Sequence, residues 1–271
     1  METRKLKAAF FDIDGTLVSF KTHKVPESTI LAIKHLRSKG VKVFIATGRP
    51  VPFTKKLGDL EFDGIMSTNG ACCMMWSGET ICKHPVPKDD IKRLVEDSHI
   101  NPMPIIFASN EEAMLCDEGC DLTIVKEVFD LLDIALPEQH SIKDVQEMDV
   151  VQIIAFFEKK DENRIMKQIL EGCSAERWHP AFADCICSGK SKATGVEAIC
   201  KYYGFDTSEV AAFGDGGNDI SMLNYAGTGI AMGSASEEVK KAANWVTDSV
   251  DEDGIAHAIT SLWPELGFTY K

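Results

Sequence analysis

The sequence predicts an α/β fold: a parallel sheet flanked by helices and interrupted by an inserted α+β domain. Three observations predict it. The apolar run Ala8 to Phe11 leads straight into Asp12-Ile13-Asp14-Gly15. A second run, Val210 to Phe213, leads into Gly214-Asp215-Gly216-Gly217-Asn218-Asp219. Between them lies a long stretch of different texture. Short apolar runs bounded by turn signals read as strands buried on both faces, as in parallel sheets covered by helices. The carboxyl ends of such strands are where ligands bind.

The elements follow in order. Pro26-Glu27-Ser28 opens a helix, Ile30, Ile33 and Leu36 give it an apolar face, and Gly40 stops it. Val41 to Ala46 reads as a second buried strand, ending in Thr47-Gly48-Arg49-Pro50 and entering another helix. Gly64 to Ser67 is a third strand, ending at Thr68-Asn69-Gly70. Residues 71–76 and 79–83 form a hairpin across Ser77-Gly78. The texture then changes: Pro85, Pro87, Pro102 and Pro104 cluster, with helical patterns near 88–98, 121–132 and 161–170. Strand-like runs lie near 104–108, 150–157 and 182–187, so this stretch reads as a separate unit with a mostly antiparallel sheet. After a helix over roughly 190–203, βα alternation returns: the strand at 210–213, a helix, the strand Thr228 to Met232, a helix near 236–243, a short strand at Trp245 to Thr247, and a last helix from about Gly254 to Leu262. The expected organisation is a core over 1–83 and 188–271 with an insert over 84–187.

Bulk composition narrows the function. With 44% hydrophobic and 26% charged residues, the 271-residue chain is an ordinary globular protein. A net charge of −13 argues against nucleic acid as a partner. No apolar run approaches the ~20 residues of a membrane helix. Nine cysteines include no C-x-x-C pair, and the charged N-terminus shows no signal peptide, so reduced thiols and a cytoplasmic location are expected. The expected oligomeric state is a monomer or weak homo-oligomer.

Side chains at i and i+2 of an extended segment share a side, so Asp12 and Asp14 would face one small volume. Like charges placed together call for a cation or a shared proton. The ends of neighbouring parallel strands would add Thr47, Lys192, and Asp215 with Asn218 and Asp219. Hard oxygen ligands suit Mg²⁺, which joins a few carboxylates to a substrate phosphate. A Lys, a Thr hydroxyl and the backbone N–H groups after Asp14 and Thr47, Gly48 among them, suit phosphate oxygens. One carboxylate of the pair would attack phosphorus and the other would move protons; Asp12, nearer the strand end, is the better nucleophile and Asp14 the better acid/base. Lys190 rivals Lys192. In the insert, Arg177-Trp178-His179-Pro180 and Phe182 could meet a polar leaving group, although packing is the plainer reading. His23 reads more simply as a solvated loop residue than as part of the site.

Asp12-Ile13-Asp14-Gly15-Thr16, Ala46-Thr47-Gly48-Arg49, Lys192 and Gly214-Asp215-Gly216-Gly217-Asn218-Asp219 resemble, in order, the four motifs of the haloacid dehalogenase (HAD) superfamily. Ser67-Thr68-Asn69-Gly70-Ala71 and Asp219-Ile220-Ser221-Met222-Leu223 are similar to stretches of its Cof-type sugar-phosphatase branch. The resemblance implies a Rossmann-like core with a large α/β cap and hydrolysis of small phosphate esters through an aspartyl phosphate. It implies Asp12 as nucleophile, and Mg²⁺ bound through Asp12, the backbone carbonyl of Asp14 and Asp215, with Asp219 helping through water. Thr47 and Lys192 would hold phosphate, Asn218 would orient Lys192 or the phosphate, and the cap would close over the leaving group. Many relatives carry Gly directly after the third-motif Lys; here Ala193 follows and Gly comes at 195. A phosphomutase of the same superfamily and a non-catalytic sugar-phosphate sensor are the alternatives.

Overall fold

The computed structural model describes residues 5–54, 57 and 60–270, with Trp178 described by its backbone alone. In chain order the elements are β1 (Ala8–Phe11), α1 (Glu27–Ser38), β2 (Lys42–Ala46), β3 (Gly64–Ser67), β4 (Cys72–Met75), β5 (Thr80–Lys83), α2 (Lys88–Ser98), β6 (Ile105–Ala108), β7 (Ala113–Cys116), α3 (Thr123–Leu131), β8 (Glu138–Gln139), β9 (Gln152–Ala155), α4 (Glu162–Arg164), β10 (Cys173–His179), β11 (Phe182–Cys187), α5 (Lys192–Tyr203), β12 (Val210–Gly214), α6 (Ile220–Tyr225), β13 (Thr228–Ala231), α7 (Glu237–Ala242), β14 (Trp245–Val246) and α8 (Gly254–Leu262). None of these helices is long and apolar enough to cross a membrane.

Two compact units divide the chain. The first comprises residues 1–48, 55–82 and 191–271; the second comprises 49–54 and 83–190. The first is built on an eight-stranded sheet in the order β14-β13-β12-β1-β2-β3-β4-β5. Its pairs from β14 through β3 are parallel, and β4 runs antiparallel to β3. Strand alternation explains why these runs are apolar throughout. Ala9, Phe11, Val43, Ile45 and Phe213 enter one layer with α1 and α8. Ala8, Phe10, Phe44, Ala46 and Ala212 enter the other with α5 and α6. Stacked pairs, Phe11 on Phe213 at 4.7 Å and Phe10 on Phe44 at 4.9 Å, lock β1 between β12 and β2.

The second unit holds a six-stranded sheet in the order β10-β11-β9-β6-β7-β8, antiparallel except for β7 with β8. One face packs Ile105, Phe107, Ile153 and Cys185 against α2; the other packs Ile106, Ile154 and Phe182 with Phe53 and α3. Several details depart from the sequence reading, which has no strand at β7 or β8. The helical pattern at 161–170 is one α-turn that widens into a π-turn over Ile165–Ile169. The strand β10 is an edge strand whose Ser174, Glu176 and Arg177 break any apolar alternation; its pairing with β11 defines it. The helix expected after Pro50 falls partly outside the described residues; within them the chain makes a single 3₁₀ turn, Val51–Phe53.

Back in the first unit, β3 runs into a turn in which Thr68, Asn69 and Gly70 all have positive φ (50°, 49° and 87°). A Cβ at Gly70 would lie 2.1 Å from the Ser191 carbonyl oxygen, so the turn sits hard against the start of α5. Gly70→Ala should therefore destabilise the protein by at least about 2 kcal/mol, adding overpacking to left-handed strain. Gly40 shares the positive φ (81°) but has nothing within 4 Å of such a Cβ. Gly40→Ala should lose only about 1 kcal/mol. Urea unfolding of both variants checks this; equal losses would mean that the α5 contact yields freely.

Candidate active site

The parallel sheet changes winding direction at β1, where the chain moves to β2 on one side and β12 pairs on the other. Such a switch point leaves a crevice beyond the strand ends. Asp12 follows β1, and its N–H still donates to the Phe213 carbonyl of β12 at 3.0 Å. Asp215 follows β12, and Thr47 follows β2, its N–H donating to the Met66 carbonyl at 2.8 Å. Lys192 opens α5 behind a reciprocal capping box made by Ser191 and Thr194.

These residues meet in one buried ionic cluster. Lys192 is fully buried, and its Nζ donates to Asp12 Oδ1 at 2.6 Å and Asp219 Oδ1 at 2.5 Å. Asp219 Oδ2 accepts the N–H groups of Asp215 and Gly216, both at 2.9 Å, and so holds the Gly214–Gly216 turn closed. Thr16 Oγ1 donates to Asp215 Oδ1 at 2.9 Å. Gly15, at φ 83°, passes so close that a Cβ there would lie 2.2 Å from Asp215 Oδ2. The Asp-x-Asp-Gly-Thr sequence thus supplies the close approach as well as the acids.

The electrostatics follow from burial and crowding. Burial pushes the Asp12 carboxyl well above the usual carboxylate range; Lys192 pulls it back, while Asp219, Asp215 and Asp14 push further. Asp215 is pushed up to about 7, by burial first and by Asp219 second, with the Thr16 hydroxyl and Lys192 opposing. Burial works against the Lys192 charge, but Asp12 and Asp219 outweigh it and hold the ammonium above its ordinary value.

Of the expected residues, Asp12, Lys192, Asp215 and Asp219 come together, and Thr47 and Gly48 lie at the neighbouring strand end. Asn218 donates from Nδ2 to Asn69 Oδ1 at 2.9 Å, beside Gly48. The Asp14 carboxylate is half-buried and stands outside the group of three metal-competent carboxylates, because the chain bends into a bridge between Asp14 and Val18. Its charge still raises Asp12 and Asp215. Lys190, the rival to Lys192, is half-buried and falls in the second unit. Glycine at 195 has its own reason: a Cβ there would lie 2.0 Å from Met66 Sδ and 3.1 Å from Gly70 Cα. His23 is exposed. Arg177 is engaged inside the second unit by Glu162 and by the Phe157 and Pro180 carbonyls, over the Phe157 ring. His179 stacks on Phe182, and the Trp178 side chain lies outside what is described. Thr16 is present in the motif without a role in the sequence reading; Asn69 reads there first as a tight turn and second as a boundary of the site, and its side chain meets Asn218.

The donor set fits a hard divalent cation. One oxygen each from Asp12, Asp215 and Asp219 lie within 4.8 Å of one another. Among the described residues one ammonium, Lys192, is bonded to this group of three carboxyls. All-oxygen ligation with an incomplete protein shell is what Mg²⁺ accepts.

Comparison with known proteins agrees. Residues 9–259 match the family described as haloacid dehalogenase-like hydrolase. "Putative phosphatase YkrA" of Bacillus subtilis (strain 168) is 34% identical over 258 residues, covering 94% of this chain and 97% of that protein. Among solved structures, the HAD subclass IIB sugar phosphatase BT4131 is 37% identical, with a TM-score of 0.84 over 97% of this chain and 100% of that one. BT1666 from Bacteroides thetaiotaomicron, a HAD-superfamily phosphatase, is 35% identical, with a TM-score of 0.86 over 99% of this chain and 97% of that one. With the match running through both parts of the split sheet and everything between them, the chain belongs to the haloacid dehalogenase-like hydrolases and is an enzyme of that family.

Proposed function

We propose that the protein is a Mg²⁺-dependent phosphatase that hydrolyses small phosphorylated metabolites, sugar phosphates foremost, through an aspartyl phosphate. The observation that carries this reading is the Lys192 bridge from Asp12 to Asp219, beside Asp215, at the sheet's switch point. The choice of sugar phosphates rests on the sugar phosphatase BT4131, to which this chain is similar over nearly its whole length. We further propose that residues 84–187 are the cap of this branch.

Asp12, Asp215 and the backbone carbonyl of Asp14 would hold the cation, with Asp219 joining through water because its own oxygens are engaged. When bound, the cation offsets repulsion among the carboxylates and neutralises substrate phosphate charge. Lys192 donates to one oxygen of Asp12, which favours the ionised carboxylate and fixes its direction. A carboxylate oxygen of Asp12 then forms a bond to phosphorus as the bond to the leaving oxygen breaks. Asp14, held apart from the cation cluster, gives that oxygen a proton. It next takes a proton from water, which attacks the same phosphorus and releases phosphate from Asp12. Thr47, the Gly48 N–H, Lys192 and Asn218 hold the phosphoryl oxygens throughout. Such transfer needs chiefly positioning and charge neutralisation.

Assay of phosphate release from a sugar-phosphate panel tests the reading; isomerisation without release would replace it with a mutase. Asp12→Asn should lower turnover by roughly 10⁴-fold or more while circular dichroism shows the fold intact, at a Tm lowered by the loss of one partner of buried Lys192. Asp14→Asn should still bind substrate but turn over at least ~10²-fold more slowly, and normal turnover would move the acid elsewhere. Saturating Mg²⁺ should raise Tm relative to EDTA, by the equivalent of about 2.7 kcal/mol at a hundredfold excess over Kd. Loss of that shift in Asp215→Asn would support the ligand assignment, and an unchanged shift would remove it.

A further inference from the structure

We propose that Asn69 is a positioning residue that fixes the orientation of the Asn218 amide; this rests on the reading of Asn218 as a phosphate-holding group. Asn218 lies in a short 3₁₀ turn, Gly217–Asp219, directly after Gly216. Its side chain is half-buried between the backbone of Gly216 and that of Gly48. One hydrogen bond sets its orientation: Nδ2 donates to Asn69 Oδ1 at 2.9 Å. An amide has a donor end and an acceptor end; Asn69 presents its acceptor, Oδ1, to the donor end of Asn218, and turning the Asn218 amide end for end would set two oxygens against each other. The Asn218 Oδ1 is thereby turned back over Gly216, where an added Cβ would lie 2.7 Å from it.

Asn69 can act as a fixed reference because it is itself over-determined. It is 4% exposed, and its N–H donates to the Thr47 carbonyl at 3.1 Å. A Cβ on Gly48 would lie 3.1 Å from Asn69 Oδ1 and 3.4 Å from Asn218 Nδ2, so the amide pair lies across the Thr47-Gly48 segment. The backbone that aims Asn69 is strained. Asn accepts a left-handed φ with little penalty, but Thr68 beside it, at φ 50°, is β-branched and fully buried. The hydroxyls of Ser67 and Thr68 find no hydrogen-bond partner among the described residues, so the turn is not held by bonds of its own side chains there. A chain reversal alone would need neither the buried Thr nor the unpaired hydroxyls. Strain that persists beside a candidate site points to a requirement for one particular geometry.

The test uses Asn69→Gly, which accepts the left-handed backbone and removes the side chain with its amide. Turnover of p-nitrophenyl phosphate with Mg²⁺, binding of inorganic phosphate by calorimetry, and Tm are measured for wild type, Asn69→Gly, Asn218→Ala and the double variant. Asn69→Gly should lower kcat/KM roughly tenfold and weaken phosphate binding by a similar factor, while in the Asn218→Ala background it should change either by less than about twofold. Its Tm should stay within about 2 °C of wild type. Unchanged kinetics, a full tenfold loss repeated on Asn218→Ala, or a loss that tracks a fall in Tm with phosphate binding intact would each overturn the inference. A wild type that turns over no ester but binds phosphate, less tightly in Asn69→Gly, would sink the hydrolytic reading and leave the positioning role standing.

Discussion

A lysine ammonium shut away from water between two carboxylates is the constraint on which the site depends. Lys192 has no exposed surface and two anionic partners, Asp12 and Asp219. Removing one member of a buried ion pair typically costs about 3–5 kcal/mol, because the survivor is left charged and unpaired. The triad therefore binds three separate chain segments: the end of β1, the start of α5 and the turn before α6. Asp219 extends the tie through its second oxygen to the N–H groups of Asp215 and Gly216.

The sheet makes this arrangement possible. Parallel strands put their carboxyl ends at one edge, and the change of winding at β1 keeps that edge open. Two apolar layers and the stacked phenylalanines fix the strands on which the acids ride. Rigidity is needed because phosphoryl transfer draws on geometry and fixed charge. The same crowding leaves an unneutralised cluster, visible in the elevated Asp12 and Asp215 carboxyls. A hard cation would offset this crowding, with oxygen ligands from the carboxyls present.

Around this centre the backbone departs from relaxed geometry in two places. Gly15 brings the first loop against Asp215, and Thr68-Asn69-Gly70 turns against α5. Both are left-handed, and both lie where one strand end must come unusually near another segment. The unpaired Ser67 and Thr68 hydroxyls add to the cost of the second. Stability and site geometry are thus set by the same contacts, and changes at these turns act on both.

Much of this was legible in one dimension. Apolar runs ending in Asp, Thr or Gly-Asp identify buried parallel strands and the chemistry at their ends, because burial on both faces and ligation at a strand terminus each leave a local pattern. The acids, Thr47, Lys192 and Asn218 could be named for that reason. Edge strand β10 could not, since pairing with β11 defines it and its residues are mixed in polarity. Nor could the π-turn at Ile165–Ile169, which shares its apolar spacing with an α-helix. The distance to the following helical pattern already favours Lys192 over Lys190, because a residue at a helix start is placed by the helix behind it. The contact of Asn69 needed a partner 149 residues away. Local periodicity and residue chemistry determined which groups this protein brings to its site; only tertiary packing decided which oxygen meets which nitrogen, because those contacts join segments whose separation along the chain carries no trace of their distance in space.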